Sequence, residues 1–69
     1  MAFDFSKLSG RIVAQYGTQY EFAKAMGISE HTLSMKLNNK VSWKATEIAK
    51  AVSLLKLDYS AIPEYFFTE

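Results

Sequence analysis

Between residues 31 and 56 the chain carries five lysines, Lys36, Lys40, Lys44, Lys50 and Lys56, against one acid, Glu47, a local balance of +4. Residues 1–30 balance, with Lys7, Arg11 and Lys24 facing Asp4, Glu21 and Glu30. Residues 57–69 carry Asp58, Glu64 and Glu69 and no base. The net charge of +1 therefore hides a polarised chain. Clustered ammonium groups can neutralise phosphates. Spread over a helix surface, the same lysines make only a solvated face.

Catalytic chemistry finds few groups to work with. His31 is the only histidine and there is no cysteine, so neither a metal centre nor a nucleophile–base pair can be assembled around it. A lone histidine on an exposed helix reads as a polar surface residue. Glu21 belongs to a helix cap and Glu30 to a binding face, so no carboxylate pair stands ready for acid–base work. No glycine-rich phosphate loop is present. The pattern points to binding, with no cofactor and no enzymatic activity.

The element that must position this chemistry is Gln19–Leu37: Gln-Tyr-Glu-Phe-Ala-Lys-Ala-Met-Gly-Ile-Ser-Glu-His-Thr-Leu-Ser-Met-Lys-Leu. Thr18 and Glu21 have capping-box spacing and open a helix over 19–26, with Phe22, Ala23 and Met26 facing inward. Gly27 ends it, Ile28 plugs the turn, and Ser29 caps a second helix over about 30–37 with Leu33 and Leu37 on one face. Ala23, four residues before the glycine, is small because the helices touch there. A glycine turn between helices crossing at roughly 90–120° is a helix-turn-helix, whose second helix can enter a DNA major groove.

The flanks complete an all-α domain of four main helices and a short fifth turn. Phe5, Leu8, Ile12 and Tyr16 have helical spacing, widened by Val13 and Ala14, and predict a helix over 5–16 with Asp4 as N-cap and Gly17 as its stop. Gly10 inside that helix costs roughly 1 kcal/mol against alanine, tolerable if a neighbour packs closely. Asn38-Asn39-Lys40 is a loop in which an asparagine takes the left-handed conformation. Trp43 and Ile48 have the spacing of a hydrophobic staple around Lys44 as N-cap, opening a helix over about 45–56. Asp58 caps a last turn through Ile62, which Pro63 interrupts. The aromatic tail 62–67 folds back on the core, or else forms an extended edge or a dimer contact.

Sixty-nine residues make one domain, 1–69, near the lower limit for folding without staples. Hydrophobic residues at 49% and aromatics at 14% must supply the core, and argue against disorder. No signal peptide is evident, and no apolar run approaches the ~20 residues of a membrane span. The expected location is the cytoplasm, away from membrane.

The stretches Phe-Asp-Phe-Ser-Lys-Leu (3–8), Tyr-Gly-Thr-Gln-Tyr-Glu-Phe-Ala-Lys-Ala-Met-Gly (16–27), Lys-Leu-Asn-Asn-Lys (36–40) and Ile-Pro-Glu-Tyr-Phe-Phe (62–67) carry a resemblance that covers nearly the whole chain. The chain resembles the lambda-repressor/Cro-like helix-turn-helix superfamily, and within it the short regulators of temperate phages of Gram-positive bacteria. The resemblance implies a lysis–lysogeny regulator in a bacterial host. It would be either a Cro-type repressor on double-stranded operator DNA or an antirepressor that binds the phage repressor. Carried over by position, Gln19 would meet a phosphate at the start of the second helix. Ser29, Glu30, His31, Thr32, Ser34 and Met35 would face the groove, and Asn38, Lys40 and Lys44 would grip backbone. Two departures stand out. Lys36 occupies a position commonly apolar, so Leu37 replaces it in the inward face and Lys36 becomes a groove or phosphate contact. Asn39 stands where the family often has glycine.

The reading face is chemically unusual. Arginine, glutamine and asparagine are the strongest bidentate readers of base edges, at ~1–3 kcal/mol of discrimination each, and none lies between Ser29 and Leu37. Glu30 can accept from cytosine but repels phosphate; Thr32 or Met35 can touch a thymine methyl. The expected function is a transcriptional regulator that binds operator DNA through the third helix, with an antirepressor that uses the same surface on a basic protein partner as the alternative.

Overall fold

The computed structural model describes residues 2–69. It contains α1 (Ser6–Tyr16), α2 (Gln19–Met26), α3 (Glu30–Leu37), α4 (Ala45–Leu54), a 3-10 turn (Tyr59–Ala61) and α5 (Ile62–Phe66), with no strand among the described residues. The bundle is all-α, as the hydrophobic periodicity predicts.

One core holds it together. Phe5, Leu8 and Ile12 from the first helix and its cap meet Phe22, Ala23 and Met26 from α2 and Leu33 from α3. Ile48, Ala51, Val52 and Leu55 close it from α4, and Phe66 from α5. Removing a leucine or phenylalanine side chain from water is worth ~1.5–3 kcal/mol. Short helices such as α2 and α3, eight residues each, need that burial because isolated helices of this length are marginal in water. Val13 departs from its predicted place in the apolar stripe. It is 49% exposed and Ala14 is also exposed, because Phe5, Leu8 and Ile12 already fill the side of α1 that faces α2.

Three helices stop the same way. At the end of α2, Gly27 has φ +80° while its N–H and that of Ile28 bond to Lys24 O (3.1 Å) and Ala23 O (3.0 Å). At the end of α3, Asn39 has φ +63° with the equivalent bonds from Asn39 and Lys40 to Lys36 O (3.4 Å) and Met35 O (2.8 Å). At the end of α4, Lys56 has φ +55°, with Lys56 and Leu57 bonded to Ser53 O (3.2 Å) and Val52 O (3.0 Å). Each is the left-handed cap that satisfies orphan carbonyls, but only one of the three uses glycine. Remaining carbonyls take side chains: Lys50 Nζ donates to Met26 O (3.1 Å), Tyr16 Oη to Leu54 O (3.2 Å), and the Arg11 guanidinium to Leu55 O (3.0 Å from Nη2).

The helix starts differ from expectation in detail. Asp4 does accept the Ser6 N–H (2.9 Å), but α1 begins at Ser6 and its formal N-cap is Phe5. Thr18 Oγ1 accepts the Glu21 N–H (3.2 Å), whereas the Glu21 carboxylate lies 3.8 Å from Lys24 Nζ and does not close the box. At α4 the Glu47 carboxylate accepts the Lys44 N–H (2.8 Å). Trp43 and Ile48 line one groove. Helix α4 stops at Leu54, two residues early, where the left-handed Lys56 turns the chain.

Pro63 does not break a turn; it is the second residue of α5, where its missing N–H is an orphan anyway. The tail therefore turns back as a helix, burying Phe66 against Trp43 (ring centroids 5.1 Å apart, edge to face). The N-terminal segment is strapped alongside. Asn39 donates its amide to Phe3 O (2.8 Å) and accepts from Phe3 N (3.0 Å), and Asp4 N bonds to Thr68 O (2.6 Å).

No neighbour packs against Gly10: a Cβ there would meet nothing within 4 Å, and the residue is exposed. Gly10→Ala is therefore expected to stabilise the fold by roughly 0.5–1 kcal/mol. Lys56→Gly should gain about 1 kcal/mol by removing a side chain from a left-handed turn. Thermal melts test both; for a domain this small the gains raise the midpoint by about 2–8 °C.

Candidate functional site

Helix α3 lies on α2 through Leu33, whose neighbours along the buried side are set by the helical repeat. At about 100° per residue, His31, Ser34, Met35 and Asn38 fall on the opposite arc, while Glu30, the first residue of the helix, lies about 60° from Leu33 on the flank toward Leu37. Glu30, His31 and Asn38 are exposed, and Ser34 and Met35 half-exposed. The structure thus brings most of the predicted face together as one outward ridge. Thr32 sits on its flank, half-buried, and its hydroxyl is engaged: Ser29 Oγ donates to Thr32 Oγ1 (2.9 Å) and accepts the Thr32 N–H (3.0 Å). Ser29 is exposed but serves the helix start.

Lys36 is not on that ridge. Its expected role as a groove or phosphate contact is wrong: the residue is 2% exposed. The ammonium donates to Glu47 Oε1 (2.8 Å) and Ser42 O (3.0 Å) and lies 5.9 Å from the Trp43 ring centroid. The inward face is not rotated onto Leu37, which is only half-buried. Lysine keeps the position a smaller apolar residue would hold, because its aliphatic stem packs among core residues while its head reaches two acceptors. No sequence rule flags this, since Glu47 lies eleven residues away.

Gln19 and Asn38 come together, but not beside a cation. Both line a polar cleft of about 380 Å³ with Asp4, Ser6, Ser9 and Asn39. Gln19 Nε2 donates to Ser9 Oγ (3.2 Å), tying α2 to α1. Asn38 Nδ2 donates back to Ser34 O (2.8 Å). Asp4, which sequence reasoning assigned only to a cap, is the one charged group on the lining. The Ser6 hydroxyl and then the Ser6 N–H hold its carboxyl below the ordinary value.

Lys40 and Lys44 are exposed and separate from this cleft. Lys40 borders a second depression, an aromatic groove of about 560 Å³ formed by Phe3, Phe5, Trp43, Phe66 and the 48%-exposed Phe67. The Trp43 indole N–H is buried there without an acceptor among the described residues. The lysine-rich stretch is therefore divided: Lys36 in an ion pair, Lys50 on a carbonyl, Lys56 in a turn at the far end of α4, and Lys40 and Lys44 exposed near the end of α3 and the start of α4.

Fold and surface define a small all-α domain that presents a polar helix ridge, a carboxylate-bearing cleft and an aromatic groove. The chain belongs to the family described as "Protein of unknown function (DUF739)", whose profile matches residues 1–69. It is similar in structure to the modulator of repression of the temperate bacteriophage TP901-1 from Lactococcus lactis, determined in solution. The two are 57% identical, with a TM-score of 0.84 over 97% of this chain and 90% of that one. No curated protein matches the sequence.

The Lys36–Glu47 pair yields two expectations. Glu47→Ala leaves a buried ammonium with one carbonyl and should cost about 3 kcal/mol. Lys36→Leu leaves Glu47 partly solvated and still bound to the Lys44 N–H, so it should change stability by less than about 1 kcal/mol. Urea unfolding measures both; equal losses would refute the asymmetry. Burial works to raise the Glu47 carboxyl, but the Lys36 hydrogen bond, the Lys44 N–H and both lysine charges outweigh it, leaving the group below its ordinary 4.5. A carboxyl depressed by folding stabilises above its unfolded value and loses that contribution as pH falls through the folded one. Stability should decline as pH drops below about 4.5, and the Lys36→Leu variant should show a shallower decline.

Proposed function

We propose that this protein is a modulator of repression in a temperate phage: an antirepressor that docks the outer ridge of α3 on the cognate phage repressor and occludes its DNA-binding surface. The observation that supports this reading is the 57% identity, over 97% of the chain, to a protein named as the modulator of repression of a temperate phage. On this reading the α2–Gly27–α3 unit is a helix-turn-helix of lambda-repressor/Cro type whose recognition helix meets protein instead of DNA. It acts in the bacterial cytoplasm by binding, not catalysis.

The chemistry of the ridge supports a protein ligand over a duplex. Its first residue, Glu30, repels phosphates, and before Asn38 at its far end it has none of the arginine, glutamine and asparagine that read base edges best. Lys36, the one cation α3 could have offered, is withdrawn into the bundle. A repressor's DNA-binding face must be basic to hold phosphates, so an acidic and polar ridge complements it.

Direct operator binding is the competing reading, favoured by exposed Lys40 and Lys44. Gel shifts separate the two. Added to a preformed repressor–operator complex, the protein should release the DNA, while alone it should not retard the same operator. Glu30→Lys should weaken release about tenfold by placing a cation against a basic partner. Retardation by the protein alone, falling steeply with salt and with a slope flattened by Lys40→Ala, would establish the operator reading instead.

A further inference from the structure

We infer that the polar cleft between the starts of α1 and α2 and the end of α3 is a receptor for a basic side chain, a guanidinium above all, supplied by the protein partner. The inference rests on the antirepressor reading for its partner, and on the cleft's own chemistry for its ligand.

The side-chain amide donors that line the cleft are already spent. Asn39 Nδ2 is spent on Phe3 O (2.8 Å). Asn38 Nδ2 is spent on Ser34 O (2.8 Å) and faces Ser34 Oγ at 3.3 Å. Gln19 Nε2 is spent on Ser9 Oγ (3.2 Å). What these amides leave without a donor among the described residues are the carbonyl oxygens of Gln19 and Asn38. To them Asp4 adds a carboxylate that holds the Ser6 N–H and hydroxyl and, with about four lone-pair sites, keeps further capacity to accept. No lysine or arginine lines the cleft. A phosphate would meet one anion and no cation; a guanidinium would meet a carboxylate and two carbonyl oxygens, the arrangement its fork of donors fits.

Position agrees with chemistry. Asn38 continues the outer arc of α3 one turn beyond Ser34, so the cleft is contiguous with the ridge already assigned to the partner. A repressor surface evolved to grip phosphates carries arginines and lysines at its edges. The cleft offers one of them a carboxylate in the place where a DNA-binding relative would offer a phosphate a donor. The two helix starts, α1 and α2, would favour an anion there; Asp4 supplies it from within the chain.

The test uses the isolated full chain, labelled with 15N, and its complex with the cognate repressor. Titrated with arginine amide against sodium chloride at equal ionic strength, the Ser6, Ser9, Gln19 and Asn38 amides should shift saturably, with an apparent Kd on the order of 10 mM. Inorganic phosphate should leave them in place. Asp4→Asn keeps a capping acceptor for Ser6, so the fold should persist, and it should weaken arginine binding about fivefold by turning a charge-assisted hydrogen bond into a neutral one. The same substitution should weaken the repressor complex by a similar factor. Shifts with phosphate but not arginine, or an Asp4→Asn variant that binds arginine as the parent does, would overturn the assignment. Absence of any repressor complex with the parent chain would instead remove the antirepressor reading, while the arginine titration would still decide the cleft.

Discussion

An ammonium group sits inside this bundle, and the placement of α3 depends on it. Helix α3 is two turns long and gives the core one fully buried apolar side chain, Leu33; its other buried position is Lys36. Through that lysine it is fastened to the first turn of α4 at Glu47 and to the connecting loop at Ser42. Glu47 in turn holds the Lys44 N–H, so one carboxylate caps α4 and anchors α3. A satisfied buried network of this kind is demanding in geometry, since each partner fails if the other is displaced. An apolar residue at position 36 would tolerate small rotations of α3; a lysine between two fixed acceptors does not. The ridge on the far side of the helix inherits that fixed orientation.

The same interaction marks where sequence reasoning runs out. Local signals were readable: Thr18, Ser29 and Asp58 accept the N–H groups their spacing implies, and Gly27 turns where a glycine should. Core residues with helical periodicity were readable too, from Leu8 and Ile12 through Ile48 and Val52. What failed was long-range. A lysine between Met35 and Leu37 still reads as surface, because charge is evaluated residue by residue and the Glu47 partner belongs to another helix. Val13 reads as core because hydrophobicity has no knowledge of which side of α1 its neighbours occupy. Lys56 and Asn39 take left-handed turns that glycine usually announces, and of the two only the asparagine gave a hint. Pro63 reads as an interruption unless one knows that a helix begins beside it.

Redistribution of the positive charge matters for function. On paper, residues 31–56 look like a stripe for phosphate; in three dimensions those lysines are scattered among an ion pair, a helix end, a turn and two open positions. Meanwhile Gln19 and Asn38, amides expected on a backbone, face a carboxylate. A fold capable of entering a groove has here been given a surface with weak means of holding one. On the proposed antirepressor reading the surface meets a protein that itself holds DNA, and specificity then arises from complementary charge instead of base edges.

The strapping of the first residues to Asn39 and of Asp4 to Thr68 has a consequence for synthesis on the ribosome. Phe66 belongs to the core and stacks on Trp43, so a nascent chain that has exposed only its first four helices has an open flank. Closure waits until residues 62–68 have emerged, and the core is then completed in one late step. Until that moment the early aromatics Phe3 and Phe5 have no lasting shelter, which leaves the half-made chain a substrate for chaperones that bind exposed apolar segments.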